Sequence, residues 1–166
     1  MDESIELSEF CRREHPRLVR ALTSFCGDRV VAEELAQEAL VKTCEHWRRV
    51  SNMAAPSAWA HRVAMNLATS TFRRRAAERR ALARAGSADR HVDVDVPELL
   101  ALRTALAHLG ERRRKVVVLR HVAQLSVSET AAVLGMSENA VRSMTSRALA
   151  ELRAALEDNV EVHHVR

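Results

Sequence analysis

The sequence predicts an all-α protein of two helical domains joined by a flexible linker, the second domain containing a helix-turn-helix. Three observations carry that prediction. Apolar residues recur at helical spacing over most of the 166 positions. Only 4 Gly and 3 Pro are available, too few to punctuate the short strands of a β fold. Helical periodicity fails over one internal stretch, residues 80–97, and a helix-turn-helix pattern follows it. The expected organisation is a domain over 1–79, the linker at 80–97, a second domain over 98–159 and a tail at 160–166.

From Ile5 to Phe25 the apolar residues Leu7, Phe10, Cys11, Leu18, Ala21, Leu22 and Phe25 keep helical spacing, interrupted only by Pro16. This predicts one or two helices closed by Gly27-Asp28. After Asp28, the stripe Val31, Leu35, Ala39, Leu40, Cys44 and Trp47 predicts an amphipathic helix, with Glu33, Glu34, Gln37, Glu38 and Lys42 on its other faces. Residues Arg48 to Ser57 read as a loop. Pro56-Ser57 then suits a turn into a third helix, Ala58 to about Arg80, that turns Trp59, Val63, Ala64, Leu67, Ala68 and Phe72 inward.

The alternating run Val92-Asp93-Val94-Asp95-Val96 has no second strand to pair with, so it reads as linker. Helical pattern resumes at Glu98, ends at Gly110, and starts again from Glu111 to about Gln124. In the last third, Ser126 or Ser128 can cap a helix that Gly135 ends, and Ser137 can cap the next. Small Ala131 permits close approach, while Leu134, Met136 and Val141 fill the angle. The second helix then presents Ser137, Glu138, Asn139, Arg142, Ser143, Ser146 and Arg147 outward, as a recognition helix does toward the major groove. The nearby run Arg112-Arg113-Arg114-Lys115 adds to that reading.

Charge is segregated along the chain. Residues 1–45 hold 6 basic and 10 acidic side chains, residues 46–90 hold 10 and 2, and residues 111–166 hold 9 and 7. An acidic block followed by a strongly basic one implies two surfaces with different partners, one of them a polyanion. No run of about 18 apolar residues occurs and the opening MDESIELSEF is acidic, so a cytoplasmic protein is expected. Cys11, Cys26 and Cys44 are odd in number and sit in apolar pattern outside any CxxC pair, which reads as reduced core thiols. Cys11 with His15, and His163 with His164, offer ligand types without the about four converging ligands of a structural metal site. Neither metal nor cofactor is expected.

Three stretches in this order resemble the extracytoplasmic-function sigma factors of bacterial RNA polymerase. Ala32-Glu33-Glu34-Leu35-Ala36-Gln37-Glu38-Ala39-Leu40, running to Trp47, is similar to the family's polymerase-binding helix, which implies docking roles for Glu33, Glu34, Gln37, Glu38 and Lys42. Ser57 to Ala68 with Arg73-Arg74-Arg75 looks like the helix that melts and holds the −10 element. The resemblance implies that Arg73, Arg74 and Arg75 follow phosphates, that Arg62 and Asn66 lie near bases, and that Trp59 supports the non-template strand. Trp59 is also in phase with Val63 and Leu67, as a core residue would be, and Trp47 reads as core. Arg48 to Ser57 matches the family's base-capturing loop. His108 to Leu152 resembles the −35-reading domain, although Met144 stands where many members carry a basic residue and Thr145 where many are apolar. The implied partners are core RNA polymerase, promoter DNA and an anti-sigma factor, with a monomer in the free state.

Two rival readings make different demands. A stand-alone helix-turn-helix repressor or activator would dimerise through its N-terminal half and bind duplex DNA unaided. An enzyme would need chemistry that the chain lacks: it has no Ser-His-Asp setting, phosphate-binding Gly loop or HExxH, and no Tyr. Open and closed arrangements of the two domains both suit the linker.

Overall fold

A computed structural model describes residues 3–83 and 97–164. Helix α1 (Glu3–Cys26) runs unbroken through Pro16, whose ring is exposed, because buried Phe10, Glu14, Leu18, Ala21, Leu22 and Phe25 anchor the turns on both sides. Gly27, at φ +74°, reverses the chain. Asp28 then caps α2 (Arg29–Glu45), its carboxylate accepting from the Val31 amide at 3.1 Å. Ala32, Ala36 and Ala39, all fully buried, let α2 lie close against α1.

The loop expected from Arg48 to Ser57 is shorter. Trp47–Val50 forms a helical turn, α3, because Trp47 and Val50 are both drawn into the core, Trp47 packing on Phe10 at a ring separation of 5.0 Å. Helix α4 spans Pro56–Ala83, with proline at its first position, where no amide donor is missed. Residues 80–83, expected in the linker, belong to this helix, and residue 97 opens the next. The rest of the expected linker, 84–96, lies outside the described residues.

In the C-terminal half, α5 is Pro97–His108 and α6 is Glu111–Val117, continued by a π-helical turn over Val118–Val122. Gln124 takes the left-handed conformation at φ 57°, which brings the Leu125 amide back to the Leu119 carbonyl at 3.0 Å. Helix α7 (Val127–Leu134) starts in a complete capping box: Ser126 accepts from the Glu129 amide, and the Glu129 carboxylate accepts from the Ser126 amide. Gly135 ends it at φ 63°, and α8 runs Glu138–His164, so residues 160–164 of the expected tail continue the helix.

The two halves share a core. Val118, Leu119, Ala123, Leu125 and Val133 join one apolar cluster with the buried residues of α1, α2 and α4. Polar contacts reinforce the join: Arg17 donates to the Ala123 carbonyl at 2.9 Å, Arg114 donates to the Phe25 carbonyl at 3.2 Å and stacks over the Phe25 ring, and Arg103 donates to the Gly27 carbonyl. Each cation reaches the other half's backbone, so the arrangement is specific in register as well as apolar. The chain is therefore closed, with α7 against α4.

His61 lies in this closed region, fully buried on α4. Its Nδ1 bonds the Ser57 carbonyl at 3.0 Å, and its Nε2 has no hydrogen-bond partner among the described residues. Burial pushes the imidazole below its ordinary value of 6.5, and Arg17 adds to the fall; the Ser57 carbonyl and the carboxylates of Glu14 and Glu129 oppose it. The folded state thus favours the neutral ring. Its contribution to stability is complete above the unfolded value and is lost as pH drops below it. The expected result is a melting temperature that falls between about pH 7.5 and about pH 5. His61→Gln flattens that fall, as differential scanning calorimetry would show; an unchanged slope would assign it to other groups.

Candidate functional site

Three solvent-facing stripes hold the residues singled out from sequence, each on its own helix. On α2, Glu33, Glu34, Gln37, Glu38 and Lys42 all lie on the face turned away from α1 and α4. Glu33 pairs with Arg29 at 2.9 Å and Glu38 with Lys42 at 3.6 Å, both exposed i,i+4 pairs of small energetic weight. Glu34 and Gln37 are exposed. Sequence reading missed Val30 and Val41, which are 67% and 55% exposed on the same face. Their spacing from Glu34 and Gln37 was the available signal: positions 30, 34, 37 and 41 form one stripe.

On α4, Trp59, Arg62, Asn66 and Arg73 follow one another at three, four and seven residues, and so share a face. Arg62, Asn66, Arg73 and Arg74 are exposed. Trp59 is half-buried: part of it packs on the core cluster, while its ring lies 5.9 Å from that of His46. Trp59 is therefore part core residue, with one edge of its indole left outside the cluster. Trp47, by contrast, is core, at 7% exposure. Arg74 pairs loosely with Glu78 at 3.7 Å. Arg75 is half-buried, and its charge opposes the rise of the Cys26 thiol, which burial and Asp28 push up to about 12. Arg73 acts across the domain boundary: with the Lys115 hydrogen bond as the larger cause, it helps hold the Glu111 carboxyl below the usual range.

On α8, Ser137, Glu138, Asn139, Arg142, Ser143, Ser146 and Arg147 are all exposed. Val141 is fully buried beneath them against Val116 and Ala131, and Met144 packs on the same cluster, which accounts for its apolar character. Ser137 caps the helix by accepting from the Ala140 amide at 3.2 Å. The Arg142 guanidinium is held along the helix by Glu138 at 2.7 Å and Asn139 at 3.2 Å, which preorders its reach. Thr145 turns its hydroxyl back to the Val141 carbonyl at 2.7 Å, and so places no unpaired donor in the core.

The basic run at 112–115 is divided among different partners, with Arg112 exposed. Arg113 pairs with Glu151 at 2.5 Å and Lys115 with Glu111 at 2.8 Å, while Arg114 turns inward to Phe25. The thiols depart from expectation. Cys26 and Cys11 are partly buried, but Cys44 is exposed.

The Sigma-70 region 2 family matches residues 10–78, and the Sigma-70 region 4 family matches residues 99–152. The RNA polymerase sigma-E factor of Streptomyces avermitilis is 38% identical over 159 residues, covering 93% of this chain and 87% of that protein. Its counterpart from Streptomyces coelicolor is 35% identical over 166 residues, covering 94% and 89%. Among solved structures, the sigma factor RpoE in complex with the anti-sigma factor NepR from Bartonella quintana superposes with a TM-score of 0.78. It is 22% identical, with coverage of 92% of this chain and 97% of that one, a likeness of fold. CnrH in complex with the cytosolic domain of CnrY gives a TM-score of 0.65 at 27% identity, with coverage of 92% and 88%.

Proposed function

The chain belongs to the extracytoplasmic-function sigma factors of bacterial RNA polymerase, and from that membership we propose a division of labour among its three helical faces. As an alternative sigma factor it directs RNA polymerase to promoters. The outer face of α2, with Glu33, Glu34, Gln37, Glu38 and Lys42, docks core polymerase. The α4 face holds the opened −10 element: Arg73, Arg74 and Arg75 follow phosphates, Arg62 and Asn66 meet unstacked bases, and the exposed edge of Trp59 supports the non-template strand. The α8 face, from Ser137 to Arg147, reads the −35 element in the major groove. It acts without catalysis of its own, in the cytoplasm, under the control of an anti-sigma factor.

The observation that carries this reading is the α8 face, on which all seven recognition positions are exposed while Val141 and Met144 are turned under it. No corresponding support exists for the stand-alone regulator. The closed arrangement adds a step. The −10 and −35 elements lie roughly 25 base pairs, or about 85 Å, apart along B-form DNA. With α7 seated on α4, one chain cannot span them, so the two halves separate when polymerase and promoter are engaged.

Run-off transcription with purified chain, with and without core polymerase, tests the reading. Specific transcripts need both components. Arg142→Ala or Arg147→Ala is expected to cost about 1–3 kcal/mol in promoter recognition with core binding unchanged. A footprint on duplex DNA by the chain alone, without association with polymerase, would overturn it.

A further inference from the structure

Helices α1 and α2 form an antiparallel pair about Gly27, and Cys11 and Cys44 stand 16 and 17 residues from that turn, at the same height. Their sulfurs are 3.9 Å apart. The fully buried alanines of α2 let it lie close along α1 on the side that carries both thiols. Closing the bond brings the sulfurs from this contact distance to about 2.05 Å. Access is equally favourable, since Cys44 is exposed and lines an open groove of about 690 Å³ with Leu7, His46, Trp47 and Arg48.

We propose that Cys11 and Cys44 are a peroxide-responsive dithiol that closes to an intramolecular disulfide across α1 and α2. This goes beyond the sigma-factor reading and does not depend on it. Cys44, as thiolate, attacks one oxygen of hydrogen peroxide; the O–O bond breaks, leaving a sulfenic acid on Cys44 and releasing hydroxide. The Cys11 sulfur then attacks the Cys44 sulfur, the S–O bond breaks, and the departing hydroxide leaves as water with the Cys11 proton. Two thiols lose two electrons in all, and the peroxide is reduced to two waters.

The order of attack follows from the surroundings. Cys44 is the exposed thiol, whereas burial, and secondarily the neighbouring Cys44, push the Cys11 thiol up to about 11, so Cys11 is disfavoured for the first attack and loses its proton only as it attacks the adjacent sulfenic sulfur. Cys26 lies 15 residues further along α1, about 22 Å from Cys11, and cannot substitute for Cys44 in the folded chain. It serves as an internal control.

The test is titration of the reduced, full-length chain with hydrogen peroxide, followed by alkylation of the remaining thiols and non-reducing peptide mapping. The expected result is a monomer in which the Cys11 and Cys44 peptides are joined, Cys26 is alkylated, and dithiothreitol restores all three thiols. The oxidised form should also melt higher, by up to about 10 °C, because the bond closes a long loop in the unfolded chain. In Cys11→Ser, Cys44 stops at a sulfenic acid that dimedone traps; in Cys44→Ser, Cys11 remains reduced. Oxidation of Cys44 to the sulfinic acid beside a free Cys11, a disulfide-linked dimer, a bond to Cys26, or a lower melting temperature would each overturn the proposal. The mapping of the unsubstituted chain decides the matter even if a serine variant fails to fold.

Discussion

Glu14→Ala is expected to destabilise the chain by about 3 kcal/mol, an effect as large as emptying a core leucine position. Glu14 is fully buried, yet its carboxylate is well supplied with donors. Ser57 Oγ donates to Oε1 at 2.8 Å, Arg13 Nε at 3.0 Å and Arg17 at 3.0 Å, and Arg17 also reaches Oε2 at 3.3 Å. Burial alone would raise the carboxyl; Ser57 and Arg13, then the charges of Arg17 and His61, outweigh it, and the group sits below the ordinary value of 4.5. Removing the acid strands Arg17, whose other donor holds the Ala123 carbonyl across the domain boundary. Arg17 is 27% exposed and Arg13 59%, so water softens the loss and the figure lies at the low end for a broken buried pair.

Urea unfolding followed by circular dichroism measures the effect as a shift of midpoint at constant slope. Glu14→Gln, which keeps an acceptor but adds an amide with nothing to donate to, should lose about half as much. The pH dependence has a definite sign. A lowered carboxylate stabilises above its unfolded value and ceases to do so as pH falls through the folded one, so acid unfolding below about pH 4.5 should be shallower in Glu14→Gln than in the parent. A change under about 0.5 kcal/mol for Glu14→Ala would mean that water replaces the carboxylate without loss.

What the sequence could disclose was local. Asp28, Ser126 and Gly135 act at the helix ends they border, because capping and left-handed geometry depend on neighbours within four residues. The polar face of α8 was legible for the same reason: its register against Val141 is fixed by helical period alone. Glu14 was not legible, since Ser57 lies 43 residues away and nothing in α1 marks a carboxylate with a partner on α4. The same holds for Arg114, which looks like part of a nucleic-acid patch until Phe25 is brought beneath it. Cys44 failed differently. The apolar stripe of α2 was read straight through it, but the chain breaks into α3 at His46, and Trp47 reaches the core from a new helical turn instead of from the α2 face.

The face of α2 carries the other large expectation. Val41→Asp combined with Glu34→Lys should weaken core polymerase binding by about 2–3 kcal/mol, roughly 30- to 150-fold, while leaving the fold intact. Val30 and Val41 contribute little to the stability of the free chain, since more than half of each is in water. Their energetic value appears on docking, where burying one valine side chain is worth about 1.5–3 kcal/mol and an aspartate in its place would have to be desolvated. Glu34 lies between them on the same stripe and sets charge complementarity, which acts more on the rate of association than on its strength. The single variants should therefore separate: Val41→Asp shortens the lifetime of the complex and Glu34→Lys slows its formation, the latter more at low salt. Surface plasmon resonance against immobilised core polymerase resolves the two rates. Equal affinity for parent and double variant, with unchanged helicity, would move the docking surface off α2 altogether.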